Sequence, residues 1–581
     1  MFRLISSILC LAALAALAAA RAQPVDAPLM PLADLKAGQH GEVWTVFKGT
    51  QPESFTVEVT GVVRNALGPG RSLILCELTD PRVQNMGAVA GMSGSPLYID
   101  GKLAGALSYQ IQRFETVRYA GFTPAADLAE VQAKTAPELH AVPISGAPDS
   151  PYKSLQPVFT MSGLSPAVAE LFAPQFAALG LSATALGGSD NGSAIENPKS
   201  KIENQPLRPG AAISVALATG DITLAGTGSV SRVDGTHVTA FGHPMLSLGE
   251  VELPLCSAEI VTILPSNMQS IKVANTGPVI GTISQDRLSA VSGTLGAGPA
   301  MVEVEVNVSP VRSGKRALHF AVARQQQLTP VIVAAGVTQA ILGANDAGLA
   351  NGFRLRSDVT FAPAAKLATQ AIYSGPQGFQ QGLAEFVQAL SANLQNPYEK
   401  TFPDRVAFTV EPLAENPTVV IDQFQLSRAN ARAGDTVQIT LAWRDWQAAA
   451  HRDTIDLPID PAWTGKQLEV ILAPGRVLDD LTGRPRVIAA ASLRSFDAYL
   501  AALRDDRAND GLCLAVVEKT EMFSDQTDVM PDAPGSIERV ARAADEARYQ
   551  KRDALLPLWE RHVLDGKLSG VVVRRALRVG E

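Results

Sequence analysis

The chain has 581 residues, of which 46% are hydrophobic and 18% charged, with a mean hydropathy of +0.10. That excludes a mainly disordered chain, and the length is too great for one core, so three or four domains are expected. A net charge of −8 without a long basic run excludes nucleic acid as the main partner.

The first segment reads as an address rather than a fold element. Arg3 supplies a positive start, Leu4 to Ala20 is almost wholly apolar, and Ala20-Arg21-Ala22 places small residues where a signal peptidase cuts. The expectation is a signal peptide over 1–22 and a mature start at Gln23; the alternative is an uncleaved membrane anchor, for which the apolar stretch is short. Cleavage removes Arg3 and Arg21 and takes the charge from −8 to −10. No later run is apolar enough to span a bilayer, so no stable membrane span is expected after cleavage. Three cysteines remain, Cys76, Cys256 and Cys513, without metal-ligand spacing, and buried thiols are the favoured reading.

Plentiful glycine (47) and proline (38), with only 6% aromatics, point to turns and short strands rather than a helical bundle. Residues 41–125 read as strands. Phe55, Val57 and Val59 alternate with Thr56, Glu58 and Thr60, which puts one apolar face inward. Asp100-Gly101 between two apolar runs signals a hairpin, because both residues tolerate positive φ. Residues 126–210 form a mixed insert. It holds a helix over 166–179, with Ser165 as N-cap and Pro174 as a kink or break, and an exposed loop over 187–205. Strands return over 213–217, 223–230, 238–241, 279–283 and 302–308. Helices are expected over 330–342 and 379–394, the latter with Phe379, Leu383, Phe386, Val387, Leu390 and Leu394 on one face. Residues 321–403 thus read as a helical connecting region. Short strands over 404–475 suggest a small immunoglobulin-like β-sandwich. The tail over 486–581 reads as mixed: a helix around Phe496 and Leu500, then strands at 512–517 and 571–573.

The sharpest chemical signal is Gly91-Met92-Ser93-Gly94-Ser95-Pro96. A serine between glycines on a tight turn exposes its hydroxyl while neighbouring N–H groups converge on a developing oxyanion. By analogy with the G-x-S-G-x-P turn of trypsin-like double barrels, Ser93 would be the nucleophile and the N–H groups of Gly91 and Ser93 the oxyanion hole. The plainer reading is a Gly/Ser turn joining two strands. A serine needs a base, and the chain has seven histidines. His243, in Phe241-Gly242-His243-Pro244, sits where a strand breaks into a turn, a suitable mount for an imidazole. His40 is its rival.

Leu78-Thr79-Asp80-Pro81-Arg82, the hexapeptide at 91–96 and Asp100-Gly101-Lys102-Leu103-Ala104-Gly105-Ala106 together resemble the serine half of the SpoIVB-type serine peptidase family. A second block resembles its histidine half: Gly226-Thr227-Gly228-Ser229-Val230, Phe241-Gly242-His243-Pro244, Leu253-Pro254-Leu255, Ala258-Glu259-Ile260, Val279-Ile280-Gly281-Thr282-Ile283 and Gly293-Thr294-Leu295-Gly296. The resemblance implies a catalytic triad of Ser93, His243 and Asp80, with Asp80 orienting the imidazole; Asp221 and Asp286 are the alternatives for the acid. In the family the histidine half comes first, whereas here Ser93 precedes His243, as a circular permutation would give. No PDZ-like segment of the kind found in sporulation peptidases is evident.

The expected fold is mainly β. A trypsin-like double β-barrel core over 23–320 would comprise a serine half at 40–125, the insert, and a histidine half at 211–310, with the sandwich and tail as accessory domains. The expected function is an exported serine endopeptidase, periplasmic, secreted or at the surface of a bacterium. It would act on protein or peptide substrates, without cofactor or metal, and meet an envelope partner through the C-terminal domains. The competing expectation is a non-catalytic envelope protein that uses the same barrel as a binding scaffold.

Overall fold

The computed structural model describes residues 23–111, 117–133, 152–155, 158–181, 183–186, 188–189, 206–266, 270–309, 316–342, 351–361, 365–395, 401–482, 496, 500, 506–524, 529–531, 534–544 and 550–580. The expected signal peptide, His140 and most of the 187–205 loop therefore lie outside the described residues, as does most of the helix expected around 496. The protein is mainly β and forms two compact units. The first comprises Met1–Ser162, Gly180–Leu217 and Thr223–Ala300; the second comprises Gly163–Leu179, Ala218–Ile222 and Met301–Glu581.

In the first unit, seven strands build one sheet: β1 (His40–Thr45), β2 (Glu53–Val63), β3 (Leu73–Leu78), β4 (Pro96–Ile99), β5 (Lys102–Ile111), β6 (Tyr119–Pro124) and β7 (Tyr152–Ser154). Their order is β4-β1-β2-β3-β6-β5, and β4 also pairs with β5, so six strands close into a barrel-like ring; β7 is added to β5. Closure removes free edges. The alternation read in β2 holds: Phe55, Val57 and Val59 are buried, and they share a core with Val43, Ile74, Cys76, Leu97, Leu107 and Phe122. The Asp100-Gly101 hairpin also holds, with φ of +50° and +75° between the paired Ile99 and Lys102.

A second ring follows, after short strands β8 (Val158–Ser162), β9 (Ala183–Leu186) and β10 (Gly188–Ser189). It consists of β11 (Ala212–Gly220, up to Leu217 in this unit), β12 (Thr223–Asp234), β13 (His237–Ala240), β14 (Gly249–Leu264), β15 (Ile271–Arg287) and β16 (Ala290–Leu295). The order is β11-β14-β15-β16-β13-β12, and β11 pairs with β12 to close it. Helix α1 (Pro81–Met86) leads from β3 toward the serine turn, and α2 (Ala125–Ala133) follows β6.

In the second unit, Pro166–Ala178 is one helix that runs through Pro174. Ser165 stands at its N-cap position but makes no side-chain cap bond; its N–H donates to Gln339 Oε1 instead. The helix at Leu328–Leu342 begins two residues before the expected 330–342, and that at Gly375–Leu394 begins four residues earlier than the apolar face suggested. Between them run the paired strands Phe353–Phe361 and Ala365–Tyr373, so 321–403 is not purely helical. Pro403–Pro412 pairs with Phe353–Phe361 and Met301–Val308. Val420–Leu426, Thr436–Arg444 and Ala450–Pro458 form a three-stranded sheet. It shares one core with a six-stranded sheet made of Asn430–Arg432, Gln467–Pro474, Leu512–Ser524, Val529–Pro531, Gln550–Val563 and Val573–Gly580. The strands between 404 and 475 thus divide among three sheets, one of which draws most of its length from the tail.

Candidate active site

Both halves of the sequence signal lie in the first unit. The chain from Val89 to Ser95 makes a tight turn in which Met92 N–H donates to Val89 O and Ser95 N–H to Met92 O. Gly91 and Gly94 adopt φ of +94° and +91°, a region in which residues with a Cβ are strained. Gly94 has a further constraint, because a Cβ there would stand 2.0 Å from Ser229 O and 2.4 Å from Phe241 N. The turn is fixed on three sides. Leu107 of β5 exchanges hydrogen bonds with Gly94 and Ser95, Ser93 O accepts from Ser229 N–H of β12 at 2.7 Å, and Ser231 Oγ donates to Gly94 O at 2.8 Å. Two donors remain unused: no acceptor among the described residues takes the N–H of Gly91 or Ser93. Ser93 is fully buried, and its Oγ has no hydrogen-bond partner among the described residues.

His243 is also fully buried, whereas His40, His237, His319, His451 and His562 are exposed. It is placed by two successive left-handed residues, Phe241 at φ +70° and Gly242 at +68°, which turn the chain sharply off β13. Positive φ is uncommon for a bulky residue and persists only where surroundings impose it. Here Thr123 Oγ1 donates to Gly242 O at 2.6 Å, and Phe241 lies at the core against Gly228. His243 Nδ1 bonds the Pro244 carbonyl at 2.7 Å, so Nδ1 carries the proton and Nε2 presents its lone pair. Nε2 has no hydrogen-bond partner among the described residues. Burial lowers the pKa of the imidazole to about 4, opposed by the backbone of Pro244 and of Leu155. Ser93 Oγ and His243 Nε2 make no hydrogen bond to each other in this state.

None of the three candidate acids hydrogen-bonds His243. Asp80 caps α1 by accepting from Arg82 N–H at 2.8 Å, and both its oxygens pair with the Arg82 guanidinium. Arg82 in turn reaches Glu53 and Ser54 O. Partial burial raises the Asp80 pKa, but the bonds from Arg82 prevail and hold it below the usual carboxylate range. Asp221, in the second unit, receives His319 N–H. Asp286 is buried and accepts the N–H groups of Met245, Leu246 and Leu248 at 2.7, 2.8 and 3.1 Å, so it clamps the loop that follows His243. Burial raises its pKa against the pull of those backbone donors.

Sequence gave no sign of a buried lysine beside the turn. The aliphatic stem of Lys272, on β15, lies along Gly91, where a Cβ would be 3.0 Å from Lys272 Cβ. Its Nζ donates to Thr45 Oγ1 at 2.8 Å. Thr45 Oγ1 is 3.5 Å from Ser229 Oγ, which is 3.3 Å from Ser95 Oγ, and Ser95 Oγ is 2.6 Å from Met92 O. Among the described residues no carboxylate pairs with the amine, and burial lowers its pKa to about 7. The three cysteines are free and buried, with Cys256 pushed up to about 12 and Cys76 higher still, as inert thiols are.

Residues 19–122 match the family model of the SpoIVB peptidase S55. That match covers β1 to β5, most of β6, the whole serine turn and Asp80, and it supports a serine peptidase acting on proteins for this part of the chain. No curated protein and no solved structure matches the chain.

Proposed function

We propose that the protein is an exported serine endopeptidase that uses Ser93 and His243 and forms an acyl-enzyme. The observation that carries this reading is the packing of the matched serine turn against Ser229 and Phe241, two residues before His243, with the N–H groups of Gly91 and Ser93 taken by no acceptor among the described residues. Two six-stranded rings, one bearing the serine and the other leading into the histidine, support a trypsin-like double barrel.

In this mechanism Ser93 Oγ attacks the scissile carbonyl carbon and its proton passes to His243 Nε2. The carbonyl oxygen, now an oxyanion, accepts from Gly91 and Ser93 N–H. The imidazolium returns the proton to the departing amine, the C–N bond breaks, and water then releases the acyl group by the same route. The Pro244 carbonyl holds Nδ1 and stabilises the imidazolium. Asp80, occupied by Arg82, contributes in this reading through the β3–α1 turn, so the orienting role that the resemblance gave it passes to Pro244.

The pattern of Arg3, the apolar run and Ala20-Arg21-Ala22 supports export to the periplasm, the medium or the cell surface of a bacterium. No helix among the described residues is long and apolar enough to cross a membrane. The sheets of the second unit would serve an envelope partner.

Reaction with a serine-directed fluorophosphonate, followed by peptide mapping, tests the proposal. Ser93 should carry the label and Ser93→Ala should abolish both labelling and hydrolysis. His243→Ala should cost about as much, because groups acting as a unit fail together. Ser95→Ala should lose far less. A folded protein whose Ser93 never labels is the non-catalytic scaffold instead.

A further inference from the structure

An endopeptidase must admit a chain, yet Ser93 and His243 are both fully buried. What lies beside them belongs to the molecule itself. β5 has β6 along one edge, so β4 and β7 share the other. Along that edge Leu107 bonds Gly94 and Ser95 of the serine turn, Ser108 O then accepts Leu155 N–H at 2.8 Å, and Tyr109, Gln110 and Ile111 pair antiparallel with Ser154, Lys153 and Tyr152. A register shift in β5 between Leu107 and Tyr109 is the kind of bulge that lets neighbouring residues serve one edge. Gly242 abuts the same place, since a Cβ on it would be 2.5 Å from Ser108 Oγ and 3.3 Å from Leu107 O. The Leu155 side chain is fully buried, and its backbone lies against the His243 ring.

We infer that Tyr152–Leu155 occupies the peptide-binding edge of the site as a built-in ligand, and that substrates enter as an added antiparallel strand on Ser108–Ile111 with a leucine-sized apolar residue at the Leu155 position. The inference rests on the reading of Ser93 and His243 as a peptidase pair. Strand addition supplies main-chain hydrogen bonds for affinity and a side-chain pocket for selection. A tethered occupant holds its place at an effective concentration in the millimolar range, so it competes with any substrate in solution. The buried leucine side chain supplies the selective part, a factor of about ten or more.

The test compares fluorophosphonate labelling rates of Ser93 in the full chain with those in Leu155→Asp and in the milder Leu155→Ala, with Ser93→Ala as the blank. Hydrogen exchange over 53–63 and 271–287 checks that the rings persist. Both variants should label at least about tenfold faster, and the added peptide Tyr-Lys-Ser-Leu should slow the Leu155→Asp variant again. Peptide substrates cut after leucine should be preferred over those cut after aspartate by a similar factor. Equal rates in wild type and in a folded Leu155→Ala variant overturn the occupancy while the peptidase reading stands. Absence of label on Ser93 in every form overturns both.

Discussion

Lys272 offers a quantitative check on the interior of the first unit. An ammonium carries three donors, and among the described residues Lys272 has one acceptor, Thr45 Oγ1, and no counter-ion. Burial brings its pKa from 10.5 to about 7. Between these values the unfolded chain binds a proton that the folded chain does not, so stability rises as pH climbs from about 7 toward 10.5 and is lost as pH falls through the same window. Each pH unit is worth about 1.4 kcal/mol, so the full difference is about 5 kcal/mol. Lys272→Met keeps the apolar stem along Gly91 and removes the titration. The variant should be more stable than wild type at pH 7 by up to about 5 kcal/mol, less about 1 kcal/mol for the hydroxyl left without its partner. The gap should close toward pH 10. Urea unfolding followed by hydrogen exchange of peptides spanning 40–63 and 271–287 reports this unit. Parallel stability profiles for wild type and variant from pH 6 to 10 would refute the assignment of a neutral buried amine.

The His243 imidazole, lowered from 6.5 to about 4, should place the acid limb of kcat/KM near pH 4 and leave the rate flat through neutrality. The same group withdraws about 3 kcal/mol of stability as pH falls from 6.5 through 4, because the unfolded chain takes up the proton first; a rate midpoint near 6.5 contradicts this. Asp286→Ala leaves one buried and two half-buried N–H groups without their acceptor and should cost about 2 kcal/mol or more by denaturant unfolding, with kcat falling more than KM rises where the His243 loop is displaced. Asp80→Asn should cost about 1 kcal/mol or less of stability, since asparagine still caps α1, and should reduce kcat/KM far less than His243→Ala; an equal loss restores the orienting role to Asp80. N-terminal sequencing of exported protein should begin at Gln23, and recovery of the intact Met1 end in the cytosol defeats the signal-peptide expectation.

The parts legible in the sequence are those written in neighbouring residues. Alternating apolar residues named β2, Asp-Gly named the β4–β5 hairpin, and two glycines around Ser93 named a turn that requires positive φ at both. The same locality singled out His243, because Phe-Gly-His-Pro at a strand end must change direction. Partners distant in sequence were beyond that kind of reading. Asp80 stands in a motif that the resemblance assigned to the histidine, yet Arg82, two residues on, fills both its oxygens. Asp286 acquires its role only when β15 carries it back beside the loop after His243. Lys272 carries no local signal and falls outside the strands read from the sequence, and Leu155 is one more apolar residue in an insert. Their burial arises from ring closure and strand addition, in which main-chain bonds are formed without regard to side-chain identity and each residue's surroundings are set by register. Sequence alone thus determined the turns and the side chains they present; which groups are buried or bonded around Ser93 was decided by how the strands pair.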